Sequence, residues 1–337
     1  MTMNIKKFSI SAIAILAMTL VGCSVNPVTG KKDFTLINKE QEVAMGAQGH
    51  REILKTSKRY NDAGLQAYVN SIGQALAKKS HRSGISYTFT VLDDPTVNAF
   101  ALPGGYIYIT TGLMAYLNSE AELAGVLGHE IGHVTARHGV KQQSAGIAGA
   151  ILIDLLAKRA GTGGAKSLNQ LGTALIRGYG RDHELQADKL GAEYLARVGY
   201  QPKSMIDVVS VLKAQEEFDK LQARKEGRQP RAYHGVFASH PSNDLRLQQV
   251  IAAAKHIKTA GTKPTNHDGY LQRINGLKYH IDKHHTGKIL VGRATSPGLT
   301  YAKLARRSKV GEQRLRLLNG MFPKGEPVHG RLVKIIK

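Results

Sequence analysis

Two histidines and a glutamate stand close together in the segment His129-Glu130-x-x-His133. On a helix, residues four apart lie on one face, so His129 and His133 can each present an imidazole nitrogen to one zinc ion at about 2.0–2.1 Å. Glu130 is then placed to accept a proton from a water molecule that the ion polarises. The segment predicts a hydrolytic zinc centre with Glu130 as general base, and two surface histidines beside a solvated glutamate are the alternative.

A catalytic zinc usually takes three protein ligands, so a third must come from elsewhere in the chain. The positions three and six residues after His133 are an alanine and a glycine, which excludes the metzincin pattern of glycine and histidine. Glu184 is the main candidate, and Asp188, one helical turn later, can accept the outer N–H of a liganding histidine. His183 is a weaker rival ligand, and an exposed helix charge is the other interpretation of Glu184.

These side chains need two helices to position them. Ser119 and Glu122 form a predicted capping box, and apolar residues then recur at helical spacing, which places the zinc segment within a helix. A second helix is expected over about 182–197 and carries Glu184. Both sets of residues therefore fall in the context that a two-helix metal site requires.

The remaining pattern predicts an α+β fold with a mainly helical, zincin-type catalytic domain. Asn38 and Gln41 predict a helix start before a helix over 39–55, and a second apolar stripe follows over 65–76. Alternating apolar residues over 85–92, then 97–102 and 106–111, predict a small antiparallel sheet. Further helices are expected over 202–224 and 242–258.

The N-terminal residues predict export and a lipid anchor. Lys6 and Lys7 precede a short apolar run, which is typical of a signal peptide over 1–22. The run ends in Leu20-Val21-Gly22-Cys23, which resembles the lipobox of bacterial lipoproteins, where the cysteine is acylated. A transmembrane anchor containing a free cysteine is the alternative. In the lipoprotein pattern of a Gram-negative envelope, Ser24 in place of an aspartate after the cysteine implies a periplasmic protein that is lipid-anchored at the outer membrane.

The chain is strongly basic, with a formal net charge of +22. Such a charge favours anionic neighbours. Because export separates the chain from nucleic acid, we expect no nucleic-acid partner, and anionic lipid, lipopolysaccharide or cell-wall polymer such as peptidoglycan are the expected ones.

A change in composition predicts a domain boundary near residue 265, with a catalytic domain over 23–265 and a small basic α+β module over 266–337. Within this module a strand near 288–292, two short helices and a strand near 330–335 follow each other. That order resembles a LysM-like cell-wall-binding module. A solvated basic surface without a specific ligand is the alternative.

Four motifs occur in a fixed order and together resemble one group of peptidases. They are Asn98-Ala99-Phe100 with Leu102-Pro103-Gly104-Gly105, the His129-Glu130-x-x-His133 helix continuing to Arg137-His138, Glu184-x-x-x-Asp188, and Ser239-His240-Pro241 with Arg246. Over about residues 35–258 the chain resembles the gluzincins related to HtpX and the CaaX prenyl endopeptidase. The resemblance is greatest to their periplasmic lipoprotein branch, which includes BepA and LoiP.

The resemblance implies a role for each matching position of the metal site. It makes His129, His133 and Glu184 the ligands of one zinc ion per chain and Glu130 the general base. Asp188 would support the ligands from outside the coordination sphere.

The resemblance also assigns residues around the metal. Asn98, Ala99 and Phe100 would form the sheet edge on which a polypeptide substrate lies as an added strand. His240 would approach the metal, either donating to the oxyanion or capping the resting site, and Arg246 would support it from outside the ligand set. A loop residue turned by the following proline is the other interpretation of His240.

The leading hypothesis is a zinc metalloendopeptidase that hydrolyses unfolded or misassembled cell-envelope proteins. The alternative is a non-proteolytic envelope-binding or cell-wall-binding lipoprotein whose zinc site is structural or latched.

Overall fold

The computed structural model describes residues 23–160, 180–229, 244–259, 261, 263–282 and 284–337. The predicted signal peptide, 1–22, lies outside these residues. Helices cover about half of the described residues and the sheets there are small, so the predicted α+β class is confirmed.

The helices and strands follow each other closely along the chain. In the described part the helices are α1 (Lys39–Thr56), α2 (Ala63–Ala77), α3 (Thr111–Tyr116), α4 (Glu120–Thr135), α5 (His138–Ala160), α6 (Arg181–Arg197), α7 (Ser204–Lys225), α8 (Asp244–His256), α9 (His267–Arg273), α10 (Tyr301–Ala305) and α11 (Glu312–Leu318). The strands there are β1 (Cys23–Val25), β2 (Lys32–Phe34), β3 (Thr88–Leu92), β4 (Ala99–Leu102), β5 (Tyr106–Thr110), β6 (Lys278–His280), β7 (Thr286–Arg293) and β8 (Leu332–Ile336).

The first two helices begin where the sequence predicts. Asn38 accepts a hydrogen bond from the backbone N–H of Gln41 at 2.8 Å, and the Gln41 side chain accepts one from the Asn38 N–H at 2.9 Å, so the capping box is complete. Asp62 caps α2 in the same way through the N–H of Leu65. The apolar stripe of α2 is buried against β3 and α4.

The central sheet is mixed. Its strands lie in the order β3-β5-β4, with β5 antiparallel to β4 but parallel to β3. The prediction of a wholly antiparallel sheet was therefore wrong for the β3–β5 pair. β5 is the most buried of the three strands, which suits the central position, and β4 is left at the edge. Gly104 and Gly105, with φ of 78° and 99°, make the turn between β4 and β5.

The C-terminal part contains the predicted order of strand, two helices and strand, as β7, α10, α11 and β8. β6, β7 and β8 form an antiparallel sheet that packs against the rest of the chain. Lys334 of β8 is fully buried, and its Nζ donates to the carbonyls of Ala115 and Leu117 at 2.8 Å each. Tyr270 donates to the carbonyl of Met114 at 2.6 Å. The buried apolar residues on both sides of residue 265 join in one core, so the domain boundary there stays a prediction.

None of the helices in the described ranges combines the length and the apolar run that crossing a bilayer requires.

Candidate metal centre

The helix α4 carries the zinc segment and is buried along its whole length after its first residue. Ser119 caps its N-terminus, accepting from the N–H of Glu122 at 3.1 Å, as predicted. The Glu122 carboxylate accepts from the N–H of Asn118 at 2.7 Å, so the reciprocal contact of the capping box is made one residue before the N-cap.

The C-terminal end of α4 is fixed by buried charge. Arg137 turns the chain with φ of 56°, a conformation that is uncommon for a residue other than glycine. Its Nε donates to Glu42 Oε2 at 2.9 Å, and Arg82 Nη1 donates to Glu42 Oε1 at 2.7 Å and to the carbonyl of Val134 at 2.9 Å. These contacts hold the turn four residues after His133.

His129 and His133 of α4 meet Glu184 of α6 in the interior of the protein. The two Nε2 atoms are 3.0 Å apart, Glu184 Oε1 is 3.4 Å from His133 Nε2, and Glu184 Oε2 is 3.6 Å from His129 Nε2. A tetrahedral zinc ion with ligands at about 2.0–2.1 Å separates its ligand atoms by about 3.3 Å. The observed spacings fit such an ion, and across the described residues no other set of three histidine, cysteine or acidic residues is arranged to hold a metal.

Small residues allow α4 and α6 to approach closely enough for this geometry. A methyl group added at Gly132 would lie 2.9 Å from the carbonyl oxygen of Ala187, and one added at Gly191 would lie 3.0 Å from the backbone nitrogen of His129. Gly128 faces Gly191 in the same way. The backbones are therefore in contact beside both histidines, because Gly128 and Gly132 each precede one of them by a single residue. This contact sets the distance between the histidines and Glu184.

Asp188 contacts His129 on the side away from the other ligands. His129 Nδ1 lies 2.8 Å from Asp188 Oδ1, and both side chains are buried. A carboxylate at this position favours a proton on Nδ1, which leaves the Nε2 lone pair directed at the metal position. The predicted contact between Asp188 and a liganding histidine is present.

His138 has a corresponding place beside His133, although it is not among the residues that the sequence predicts for the site. His138 Nδ1 lies 2.9 Å from His133 Nδ1, and His138 Nε2 lies 3.0 Å from Gln186 Oε1. Burial lowers the pKa of His138 to about 3, so its ring is neutral. His183 stacks on this ring with a centroid separation of 4.2 Å and is absent from the ligand group. In the sequence, only the spacing of five residues from His133 pointed to His138. On a continuous helix this spacing would place the two side chains on different faces, but the helix breaks at Arg137.

The edge strand β4 contains two of the three predicted substrate residues, and its far end lies near a candidate metal ligand. Ala99 is buried, and Phe100 stacks on Tyr108 with a centroid separation of 4.7 Å. Asn98 precedes the strand, and its carbonyl accepts from the N–H of Thr110 at 3.0 Å. The far end of β4, with the turn that follows it, lines a small cavity together with His133.

Three predicted residues have no described side chain. His240 lies outside the described residues, and Arg246 lies in the first turn of α8, where the side chains are not described. Cys23 is the first residue of β1, and only its backbone is described.

A larger cavity, of about 480 Å³, lies at the other end of α4. Glu122, Asp207 and Asn319 are among its lining residues. It contains none of the three-residue metal-ligand groups found in the described part of the chain, so the candidate chemistry belongs to the smaller, buried site.

Comparison with known proteins identifies related sequences for most of this region. Residues 63–254 match the model of Peptidase family M48. This segment includes β4, the whole of α4 and α6, and all three candidate metal ligands.

Three relatives show the range of similarity. The chain is 27% identical to the Beta-barrel assembly-enhancing protease of Yersinia pestis, over 69% of this chain and 48% of the relative. It is 35% identical to the Mitochondrial metalloendopeptidase OMA1 of Arabidopsis thaliana, over 49% of this chain and 34% of the relative. It is 29% identical to the Metalloprotease YcaL of Escherichia coli strain K12, over 55% of this chain and 69% of the relative. The chain thus spans half or less of the length of the first two.

Proposed function

The chain belongs to Peptidase family M48, and we propose that it is a zinc-dependent metalloendopeptidase. The main support is the arrangement of His129, His133 and Glu184, whose ligand atoms lie within 4.8 Å of one another in a buried site. Two imidazole nitrogens and a carboxylate are a donor set that suits zinc and leaves a fourth position open.

In the proposed hydrolysis, the metal and Glu130 have different roles. When bound there, zinc supplies a Lewis acid that polarises a peptide carbonyl and lowers the pKa of water toward about 7. Glu130, next to the ligand His129, accepts the proton of the attacking water and returns it to the leaving amine. Its nearly complete burial keeps this proton transfer away from bulk solvent.

Two further contacts orient the ligands. Asp188 holds the proton of His129 on Nδ1, so that Nε2 is the coordinating atom. His138 and Gln186 fix the ring of His133 from the opposite side. In the proposed mechanism these residues position the ligands and do not contact the substrate.

We further propose that a polypeptide substrate lies along β4 as an added strand. β4 is bonded to β5 on one side, and the sheet order leaves its other side as an edge. Asn98, Ala99 and Phe100 would hold the substrate main chain, and His240 would reach the metal as an oxyanion donor or a resting-state cap, supported by Arg246. Because recognition of main chain needs an extended segment, unfolded or misassembled envelope proteins are the proposed substrates.

The lipobox-like sequence before Cys23 supports a proposal for the location of the protein. We propose that the chain is exported to the periplasm, acylated at Cys23 and anchored to the outer membrane. The basic C-terminal part, with its strand, two helices and strand, is proposed as a LysM-like module over 266–337 that binds peptidoglycan. Anionic lipid or lipopolysaccharide is the competing ligand for the same charge.

Glu130→Gln is the test of catalysis. Zinc-loaded wild type is expected to cleave a fluorescently labelled, unfolded casein, and the variant to cleave it about 10²- to 10⁴-fold more slowly while keeping its zinc. Glu193→Gln on α6, a partly exposed residue that pairs with Arg197, is the matched control and should cleave at the wild-type rate. Equal rates for wild type and Glu130→Gln would favour the non-proteolytic alternative.

A further inference from the structure

The hairpin of β1 and β2 has two faces of different chemistry. Its antiparallel register joins the pairs Cys23–Phe34, Ser24–Asp33 and Val25–Lys32. Side chains alternate along a strand, and directly paired residues share a face. Positions 24 and 33 therefore lie on one face, and positions 25, 32 and 34 lie on the other.

The first face is polar and forms hydrogen bonds with the residues that follow α4. Ser24 Oγ accepts from Arg137 Nη1 at 2.6 Å. Asp33 Oδ2 accepts from Lys141 Nζ at 2.6 Å and from Asn26 Nδ2 at 2.7 Å. This face points into the protein, and its hydrogen bonds fix the orientation of the hairpin.

The opposite face is apolar and exposed. Val25 is 62% exposed and Phe34 is 53% exposed. Lys31 and Lys32 are exposed beside them. In most sheets with one solvated face the apolar side chains point inward and the polar ones outward, so this hairpin has the reverse arrangement.

A third exposed apolar residue lies on the neighbouring helix. The N–H of Leu36, two residues beyond β2, donates to Ser144 Oγ of α5 at 3.0 Å. Ile147, about one helical turn after Ser144, is 44% exposed. The helix that contacts the end of the hairpin therefore carries an exposed apolar residue of its own.

We propose that the exposed face of the hairpin, with Val25, Lys31, Lys32 and Phe34, docks on the surface of an anionic lipid bilayer. The proposal rests on the lipid attachment proposed at Cys23. Cys23 is paired with Phe34 and stands two residues before Val25, so acyl chains at this position would bring the bilayer directly to the exposed face. Apolar side chains then enter the acyl boundary while the lysines meet anionic headgroups.

Docking of this face would fix the position of the catalytic site above the membrane. Arg137, which holds Ser24, follows the ligand His133 by four residues and also lines the cavity at the end of β4. The residue after the proposed anchor therefore bonds directly to the turn that ends the active-site helix. The enzyme would therefore act on polypeptide segments close to the membrane surface.

The chain contains no tryptophan, so a single introduced indole reports its own surroundings. Phe34→Trp and Val328→Trp would be compared in the full chain reconstituted in vesicles of brominated phosphatidylcholine with phosphatidylglycerol. Val328, in the C-terminal part, is 46% exposed and is the matched control. We expect a blue-shifted, strongly quenched indole at position 34 and a much less quenched one at position 328. Equal quenching at both positions would overturn the proposal, as would a shift that depends on protein concentration without vesicles, which indicates a second copy on this face.

The charge of the face has its own matched control. Lys31→Gln with Lys32→Gln, made in the Phe34→Trp background, should lower the equilibrium constant for docking on phosphatidylglycerol vesicles by about thirtyfold. Lys78→Gln with Lys79→Gln, an exposed basic pair just after α2 and outside the C-terminal module, should leave it unchanged. Equal effects of the two pairs would overturn the proposed role of the lysines.

The intact mass of the chain reports acylation at Cys23 separately from these signals. A chain without the acyl mass, but with a quenched indole at position 34, would refute the proposed anchor and retain the docking face. An acylated chain whose indole at position 34 is not quenched would refute the docking face and retain the anchor at Cys23.

Discussion

The two ends of α4 both carry buried ionisable side chains, but their partners differ in kind. At the N-terminal end, Glu120 accepts hydrogen bonds from Tyr68 at 2.9 Å and Asn266 at 2.7 Å, and also from Tyr200. Glu122 accepts from the backbone of residue 118. Each acid there faces hydrogen-bond donors that the protein itself supplies.

The charge of Glu122 is also compensated from the C-terminal part of the chain. Burial raises the pKa of Glu122 and lowers that of Lys334, and the attraction between the two opposes both shifts. Lys334 places its ammonium group at the C-terminal end of α3, where helix carbonyls favour a cation. This end of α4 is therefore completed by protein contacts.

The C-terminal end of α4 is arranged differently, because His129, His133 and Glu184 direct their lone pairs toward a common point. Carboxylates and the metal-facing nitrogens of neutral imidazoles are acceptors, and such a set is suited to a cation. One helix is thus stabilised by protein contacts at one end and supplies metal-binding side chains at the other. Changes at the two ends are therefore expected to affect different measurements.

The largest effect is expected for His129→Ala combined with His133→Ala. Loss of both imidazoles should abolish stoichiometric zinc binding and lower hydrolysis by at least about 10³-fold, since the ion contributes several kcal/mol of transition-state stabilisation. Metal analysis and the casein assay measure the two losses. Glu122→Gln, at the other end of the helix, should keep one zinc per chain, and a loss of zinc in that variant would erase the distinction between the ends.

Lys334→Ala should mainly affect stability. It removes the positive charge beside buried Glu122 and leaves two buried carbonyls without their donor, so the free energy of unfolding should fall by about 3–5 kcal/mol. Denaturant unfolding measures this change, with exposed Lys288→Ala on β7 as the control. The folded fraction of the variant should still bind zinc. A decrease below about 1 kcal/mol would show that the C-terminal part does not stabilise α4 in this way.

Asp188→Asn is expected to weaken zinc binding by about 10- to 100-fold, because the carboxylate that orients His129 is lost while all three ligands remain. Competition with a zinc chelator gives the dissociation constant. Asp182→Asn, on the exposed first turn of the same helix, should bind zinc like wild type. If both variants behaved alike, the contact of Asp188 with His129 would have no role in binding.

The smallest effect on stability is expected for Gly132→Ala, and its sign is informative. Helix propensity alone favours alanine by up to about 1 kcal/mol. The added methyl group would lie 2.9 Å from the carbonyl oxygen of Ala187, so we expect a loss of about 1–3 kcal/mol in unfolding free energy and weaker zinc binding. Gly64→Ala, near the start of α2 where there is more room, should be neutral or stabilising. A stabilised Gly132→Ala would contradict close α4–α6 packing.

The sequence was most informative where local rules determine structure. The capping box at Asn38 and the N-cap at Ser119 placed the starts of α1 and α4, because each depends on residues only three positions apart. The metal-ligand pair on α4 was predictable for the same reason, since His129 and His133 are one helical turn apart. The partner Glu184 could be proposed from a second motif and is found beside them.

Features that depend on distant contacts were not predictable in this way. The parallel pairing of β3 with β5 reflects which strand is most buried, and local alternation does not encode it. The place of His138 depends on the break at Arg137, whose left-handed backbone is held by Glu42 from α1. The burial of Lys334 likewise depends on where the C-terminal sheet packs.

The most direct test of the central claim is the zinc content and zinc affinity of Glu184→Gln, compared with Glu193→Gln on the same helix. Wild type and Glu193→Gln are expected to bind one zinc ion per chain with equal affinity. Glu184→Gln should bind zinc at least about 100-fold more weakly, because it lacks a direct ligand and not only an orienting contact. Zinc bound to Glu184→Gln at one per chain and with wild-type affinity would contradict the two-helix metal site.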